Sequence, residues 1–93
     1  MTARHLRISG KVQGVGYRAS FAEQARALRL SGWVRNRMDG SVEAAVRGTP
    51  EAVEQMVAWS RRGPAAAQVS DVAVTSIDDA ALPGDGFDVL ATQ

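Results

Sequence analysis

The chain has 93 residues, no cysteine and a formal net charge of +1. A chain of this length buries one core, so we expect a single domain over residues 1–93, and the lack of cysteine excludes disulfides, thiolate nucleophiles and cysteine metal sites. With 45% hydrophobic and 23% charged residues, and no apolar run suited to a signal peptide or membrane span, the composition is typical of a soluble, cytoplasmic protein.

The charge is unevenly distributed along the chain. Residues 1–38 contain eight basic residues and one acidic residue, whereas residues 39–93 contain three basic and nine acidic residues. Concentrated positive charge favours an anionic ligand near the first part, although solvated surface charges give the same count.

The first elements are a strand and a helix joined by a glycine-rich loop. In HLRISGKV, residues 5–12, apolar and polar residues alternate with the period of a half-buried strand. An apolar stripe at helical spacing follows, formed by Tyr17, Phe21, Ala25 and Leu28. Ser20 and Glu23 match a capping box, but the stripe already includes Tyr17. We therefore expect the helix to begin near Tyr17 or Arg18 and to be broken at Ser31-Gly32.

A hairpin is predicted next. WVRNRM and SVEAAVRG flank Asp39-Gly40, a dipeptide that tolerates the positive φ values of a type I′ turn. In the first of these strands Asn36 falls in the apolar register with Val34. A buried amide must be paired, because an unpaired one costs about 1–3 kcal/mol. Asn36 therefore needs a specific role, either in catalysis or as a structural amide that bonds the loop backbone.

The second half of the chain predicts one more helix and two strands. Thr49 is a suitable N-cap with Pro50 at the first helical position, and Gly63-Pro64 ends the helix. VSDVAVTSI alternates as a strand, LPGDG is a turn, and FDVL is a short terminal strand. The economical packing is a ferredoxin-like α+β sandwich (βαββαβ), with two helices on one face of a four-stranded antiparallel sheet plus the short last strand. The other sheet face, with His5, Arg7, Trp33 and Arg35, would be left to water.

The loop in GKVQGVGYRAS suits a small oxyanion. Glycine allows neighbouring N–H groups to converge, the following helix N-terminus adds unpaired donors and partial positive charge, and Arg18 offers a permanently charged fork. The alternative is a tight turn beside a surface arginine.

The sequence resembles the acylphosphatase family. The match consists of GKVQGVGYR, then GWVRN, DGSVE and GPAAAQVSDV, in that order and spacing, and it covers Arg4 to about Leu90. The resemblance implies the same fold and hydrolysis of the carboxyl-phosphate bond of acyl phosphates. Tyr17 departs from the phenylalanine usual in the family, and Met38 from a frequent proline; Tyr17 is tolerated if its hydroxyl finds a partner.

The resemblance also implies the site residues. The phosphate-binding arginine falls on Arg18 and the water-positioning asparagine on Asn36. The phosphate-binding amides fall on Gln13, Gly14, Val15, Gly16, Tyr17 and Arg18. The chemistry agrees, because phosphoryl transfer asks mainly for positioning and charge stabilisation, and a carboxylate leaves without a general acid.

No cofactor or metal is expected, and the partners would be an acyl phosphate and inorganic phosphate, with the protein a monomer. His5 is interpreted as a surface residue and Ser20 as a capping residue rather than a nucleophile. Two other functions stay open. One is RNA binding on the sheet, which the lack of aromatic residues in SVEAAVRG disfavours. The other is a phosphate-binding module without turnover, which the presence of both Arg18 and Asn36 disfavours.

Overall fold

The computed structural model describes residues 1–82 and 84–93. The elements in order are β1 (Thr2–Lys11), α1 (Tyr17–Ala27), β2 (Ser31–Asn36), β3 (Val42–Gly48), α2 (Pro50–Ser60), β4 (Gln68–Ser76), a short 3₁₀ turn (Asp79–Ala81) and β5 (Phe87–Val89). The turn predicted at LPGDG includes Pro83, which lies outside the described residues. No helix among the described residues is long and apolar enough to cross a bilayer.

The strands form one sheet in the order β4-β1-β3-β2-β5. The first four strands pair antiparallel, whereas β5 pairs with β2 in parallel. The predicted βαββαβ fold is therefore confirmed, and the short last strand makes the five-stranded sheet mixed.

The core lies between the helices and one face of the sheet. Inward side chains of the strands, such as Leu6, Val34 and Val42, pack with Phe21 of α1 and Met56 of α2, and all five are essentially inaccessible to solvent. The alternation in the sequence predicted this face correctly because successive strand residues point to opposite sides.

The other sheet face is only partly left to water, contrary to the expectation. A second apolar cluster of Ala3, Ala45 and Leu82, with Trp33 packed against it, covers one end of this face. The reason is the connection from β4 to β5, which places Leu82 on the sheet surface.

Two predicted chain breaks also need correction. Helix α1 does not run to Ser31-Gly32, which begin β2; it ends at Ala27, and two residues later Arg29 takes the left-handed conformation with a φ of 58°. The amides of Leu30 and Arg29 bond the carbonyls of Ala25 and Arg26 at 2.9 and 3.0 Å, which is the Schellman pattern.

The β2–β3 hairpin is confirmed, but its turn is not type I′. That turn requires two positive φ values, and in this loop only Gly40 has one, at 93°. The Asp39 carboxylate instead accepts hydrogen bonds from the amide and hydroxyl of Ser41, at 3.0 and 2.6 Å, and so holds a longer loop that runs to Ser41.

Candidate active site

The loop between β1 and α1 is shaped by two glycines in the left-handed region. Gly14 has a φ of 75° and Gly16 a φ of 77°, and a Cβ added to either would meet no atom within 4 Å. Backbone conformation, not lack of space, therefore requires glycine at both positions.

This loop leaves main-chain donors without protein acceptors. Gly16 is the N-cap of α1 and provides no side-chain cap, and the first helical bond runs from the Ser20 amide to the Gly16 carbonyl at 3.0 Å. Within residues 1–82 and 84–93, no main-chain carbonyl accepts from the amides of residues 14–19. Such donors, aligned with the positive end of the helix dipole, are suited to bind an anion.

A pocket of about 170 Å³ lies over these donors. Its lining consists of Val12, Gln13, Gly14, Gly16, Tyr17, Arg18, Ala19 and Asn36. The structure thus brings together all the predicted site residues except Val15, which packs against the core. Sequence reasoning missed Val12 and Ala19; Ala19 could have been found from its place in the first helical turn.

The Gln13 side chain ties the loop to the β2–β3 hairpin. Its Nε2 donates to the carbonyls of Arg37 and Ser41, both at 2.8 Å. The side chain is thus committed to structure, which leaves the main chain of Gln13 as its part of the predicted amide cradle. This contact joins residues 24 positions apart and has no local sequence signal.

Arg18 is held by the C-terminal tail. Its guanidinium donates to the carbonyl of Leu90 at 3.0 Å, and the amide of Leu90 donates to the Val34 carbonyl in β2 at 2.9 Å. This bond uses one of five guanidinium N–H donors, so charge and further donors remain for a ligand.

Asn36 is the last residue of β2 and lies opposite Val42 in β3. Its Oδ1 is buried and has no hydrogen-bond partner in the described part of the protein. Because an unpaired buried acceptor costs about 1–3 kcal/mol, this atom stands out in an otherwise well-paired protein.

Tyr17 contributes to the pocket from the core side. Its ring packs against Phe21 and Trp59, and its hydroxyl donates to the Ser60 carbonyl of α2 at 2.6 Å. The partner that the tyrosine needed is therefore present. Burial of the hydroxyl raises the pKa of Tyr17 above its ordinary value.

The open sheet face carries a charged cluster outside the pocket. His5 was expected to be a plain surface residue, but its Nε2 lies 2.7 Å from Oε2 of Glu43. Arg35 also pairs with Glu43, at 2.8 Å, and covers the ring of Trp33. Among the described residues, no three His, Cys, Asp or Glu side chains are grouped as metal ligands.

Fold and pocket define a small α/β sandwich with a pocket, lined by unpartnered main-chain donors and Arg18, between its first strand and first helix. The acylphosphatase family model matches residues 4–89. An acylphosphatase from Azoarcus sp. strain BH72 is 55% identical over 92 residues, which cover 99% of this chain and 92% of the relative. The chain belongs to the acylphosphatase family, as the sequence motifs predicted, and it is an acylphosphatase that hydrolyses acyl phosphates.

Solved structures agree with this assignment. The crystal structure of acylphosphatase from Bacillus subtilis superposes with a TM-score of 0.90 at 33% identity, covering 97% of this chain and 99% of that one. An acylphosphatase from Coxiella burnetii gives a TM-score of 0.88 at 36% identity, with coverages of 96% and 92%.

Proposed function

We propose that this enzyme holds the phosphate of an acyl phosphate on the amides of residues 13–18 and the guanidinium of Arg18, while Asn36 orients the attacking water. The observation that carries the proposal is a single pocket that joins unpartnered amides, a permanent cation and an amide side chain with an unpaired oxygen. Each supplies a different requirement of the reaction.

The cradle and Arg18 supply charge stabilisation. In the loose transition state of phosphoryl transfer, negative charge spreads over the three equatorial oxygens of phosphorus. Amides fixed by the two glycines need no reorganisation to meet that charge, and a guanidinium can contact two oxygens at once.

Asn36 supplies orientation without adding negative charge. Its amide can both donate to and accept from a water molecule, which would then attack phosphorus in line with the leaving carboxylate. The alternative, a structural amide that bonds the loop, is less well supported, because Gln13 makes the loop-to-hairpin bonds and Oδ1 of Asn36 makes none.

The remaining steps need no further side chain. Water oxygen bonds to phosphorus as the bond from phosphorus to the acyl oxygen breaks, and the electron pair leaves on a carboxylate whose acid has a pKa of about 4–5. The proton of the water passes to a phosphate oxygen, so the substrate acts as its own base. Turnover is accordingly expected in EDTA.

The substrate is expected to be defined by its acyl phosphate group. A pocket of about 170 Å³ has room for little more than phosphate and its water, so the acyl group would extend into solvent and vary widely. That the enzyme is a monomer and is located in the cytoplasm stays a prediction.

RNA binding on the sheet is a weaker second function. Trp33 is the aromatic residue of the central strands that a base could stack on, and the guanidinium of Arg35 already lies over its ring at 4.9 Å. Glu43 adds a carboxylate in the middle of that surface.

The test is phosphate release from benzoyl phosphate in EDTA by the wild type and by Arg18→Gln and Asn36→Ala. Arg18→Gln should weaken substrate binding and lower kcat together, because the guanidinium would contact the phosphate both in the bound substrate and in the transition state. Asn36→Ala should lower kcat by about 100-fold, the size of effect expected when a reacting group loses its positioning, with little change in KM.

Stability separates catalysis from structure at Asn36. Since Oδ1 makes no protein bond, Asn36→Ala should not lower the free energy of unfolding by the roughly 1–3 kcal/mol that breaking a buried structural hydrogen bond costs. A large loss of stability with unchanged kcat would identify a structural amide instead, and turnover that requires added metal would contradict the mechanism.

A further inference from the structure

We propose that Glu43 is a positioning residue for Asn36, acting through the two arginines that flank it in sequence. The inference rests on the proposed function, because it assumes that the orientation of Asn36 limits the rate. Glu43 lies on the open face of the sheet and does not line the pocket.

The register of the hairpin places one carboxylate beside both neighbours of Asn36. Glu43 lies opposite Arg35 in the β2–β3 ladder. Its Oε1 accepts from Nε of Arg35 at 2.8 Å and lies 3.4 Å from Nη1 of Arg37. One oxygen atom thus holds the residues immediately before and after Asn36.

Because of strand geometry, the contacts of Glu43 with Arg35 and Arg37 influence the orientation of Asn36 between them. Successive side chains of a strand point to opposite faces, so Arg35 and Arg37 reach the open face while Asn36 faces the pocket. Fixing both neighbours fixes the peptide planes on either side of Asn36, and these planes set the direction of its Cα–Cβ bond.

Asn36 is the last residue of β2, where main-chain bonds from the Arg37 amide to the Ser41 carbonyl and from the Gln93 amide to the Asn36 carbonyl, at 2.8 and 3.0 Å, also hold the chain. The contacts of Glu43 add side-chain anchors on the open face to these main-chain bonds. The side chain of Arg37 contacts Glu43 on the open face of the sheet. Its main-chain carbonyl accepts a hydrogen bond from Gln13, which belongs to the loop of the proposed phosphate site. Glu43 therefore influences the distance between the phosphate cradle and Asn36.

The cluster is better explained by geometry than by stability. The Glu43 side chain is only 12% exposed, and those of Arg35 and Arg37 are 21% and 31% exposed. Desolvating such charges consumes most of what their attraction gains, so buried ion networks are weak stabilisers but can fix an arrangement.

The experiment measures kcat, KM and inhibition by inorganic phosphate for Glu43→Gln, alone and combined with Asn36→Ala. Glu43→Gln should lower kcat by about 10-fold or more, since small misplacement of a reacting group is costly, while KM and phosphate inhibition stay within about 2-fold. In the Asn36→Ala background, the same substitution should lower kcat by less than about 2-fold, because the residue it positions is gone.

His5→Gln is the matched control. His5 contacts Oε2 of the same carboxylate and leaves Oε1 to the arginines, so its kcat should stay within about 2-fold of wild type. If Glu43→Gln fails to fold, Arg37→Gln takes its place, since it removes the anchor after Asn36 and is more exposed.

The outcomes distinguish the two levels of the proposal. Three results overturn the role of Glu43 alone. They are a folded Glu43→Gln or Arg37→Gln enzyme with wild-type kcat, an equal loss of kcat from Glu43→Gln in the wild-type and Asn36→Ala backgrounds, and a loss of kcat in His5→Gln equal to that in Glu43→Gln. Full activity in Asn36→Ala overturns the proposed function itself, whatever Glu43 does.

Discussion

Tyr17 shows how one hydroxyl can connect the pocket to the core. Its main chain belongs to the first turn of α1, while its hydroxyl bonds the Ser60 carbonyl at the end of α2. A Cβ on Gly63 would lie 2.6 Å from Cε2 of Tyr17, so the chain after α2 passes directly against the ring. The start of α1, which lines the pocket, is thereby fixed to the end of α2.

Tyr17→Phe should destabilise the protein without affecting catalysis. The buried carbonyl of Ser60 would lose its donor, at a cost of about 1–2 kcal/mol in the free energy of unfolding. Because the ring itself is retained, kcat and KM should stay near wild type. Urea denaturation and benzoyl phosphate kinetics measure the two effects, and unchanged stability would show that the bond contributes nothing.

The same substitution predicts a difference at alkaline pH. Burial raises the pKa of Tyr17 in the folded state, so the contribution of the neutral phenol is complete below the unfolded pKa of about 10 and is lost as pH rises above it. Between about pH 9.5 and 11, wild-type stability should therefore fall more steeply than that of Tyr17→Phe. Parallel curves would contradict this assignment.

Among the elements, α1 is followed by a residue in a strained conformation. Arg29 has a φ of 58°, a conformation that costs an L-residue about 1–2 kcal/mol and a glycine almost nothing. Arg29→Gly should raise the free energy of unfolding by about 0.5–1 kcal/mol, after the larger entropy of glycine in the unfolded chain is subtracted. Arg29→Ala is the control, because it removes the charge but keeps the Cβ; an equal gain there would mean that charge and not conformation is responsible.

The elements were predictable where the pattern is local. Alternation in residues 5–12, the apolar stripe from Tyr17, and the cap at Thr49 gave β1, α1 and α2 correctly, since each depends on neighbours within a few residues. The end of α1 was missed because an arginine occupies a position that favours glycine, and the hairpin turn because Asp39 bonds Ser41. Nothing local indicates that Gln13 reaches Arg37, that Arg18 reaches Leu90, or that Glu43 holds both neighbours of Asn36.

For the whole molecule, folding neutralises part of the charge asymmetry that the sequence suggested. Basic residues of the first part pair with acidic residues of the second, as in Arg35 and Arg37 with Glu43 and Arg7 with Asp39. A count along the sequence therefore overstates the field available to an anion. Arg18, like Arg4 and Arg26, bonds a neutral carbonyl, which leaves its charge uncompensated by that contact; of these three arginines, Arg18 is the one that lines the pocket between β1 and α1.

These pairs between the first and second parts of the chain predict how the free energy of unfolding depends on acidic pH. Hydrogen bonds from the Ser41 hydroxyl and amide and from Arg7 hold the pKa of Asp39 below its ordinary value. Burial acts to raise the pKa of Glu43, but hydrogen bonds and charges from His5 and Arg35 outweigh burial and lower the pKa. Arg37 lies beside Oε1 of Glu43, the oxygen that Arg35 also contacts.

Since both folded-state pKa values are lowered, each contribution is present above the unfolded pKa of about 4 and is lost as pH falls below it. The free energy of unfolding, measured by urea titration, should decline below about pH 4, and less steeply in Asp39→Asn and in Glu43→Gln. Because Asp39 is exposed and Glu43 is not, 1 M NaCl should reduce the Asp39 effect more than the Glu43 effect. Acid curves of wild type and both variants that run parallel would show that these pairs do not set the dependence.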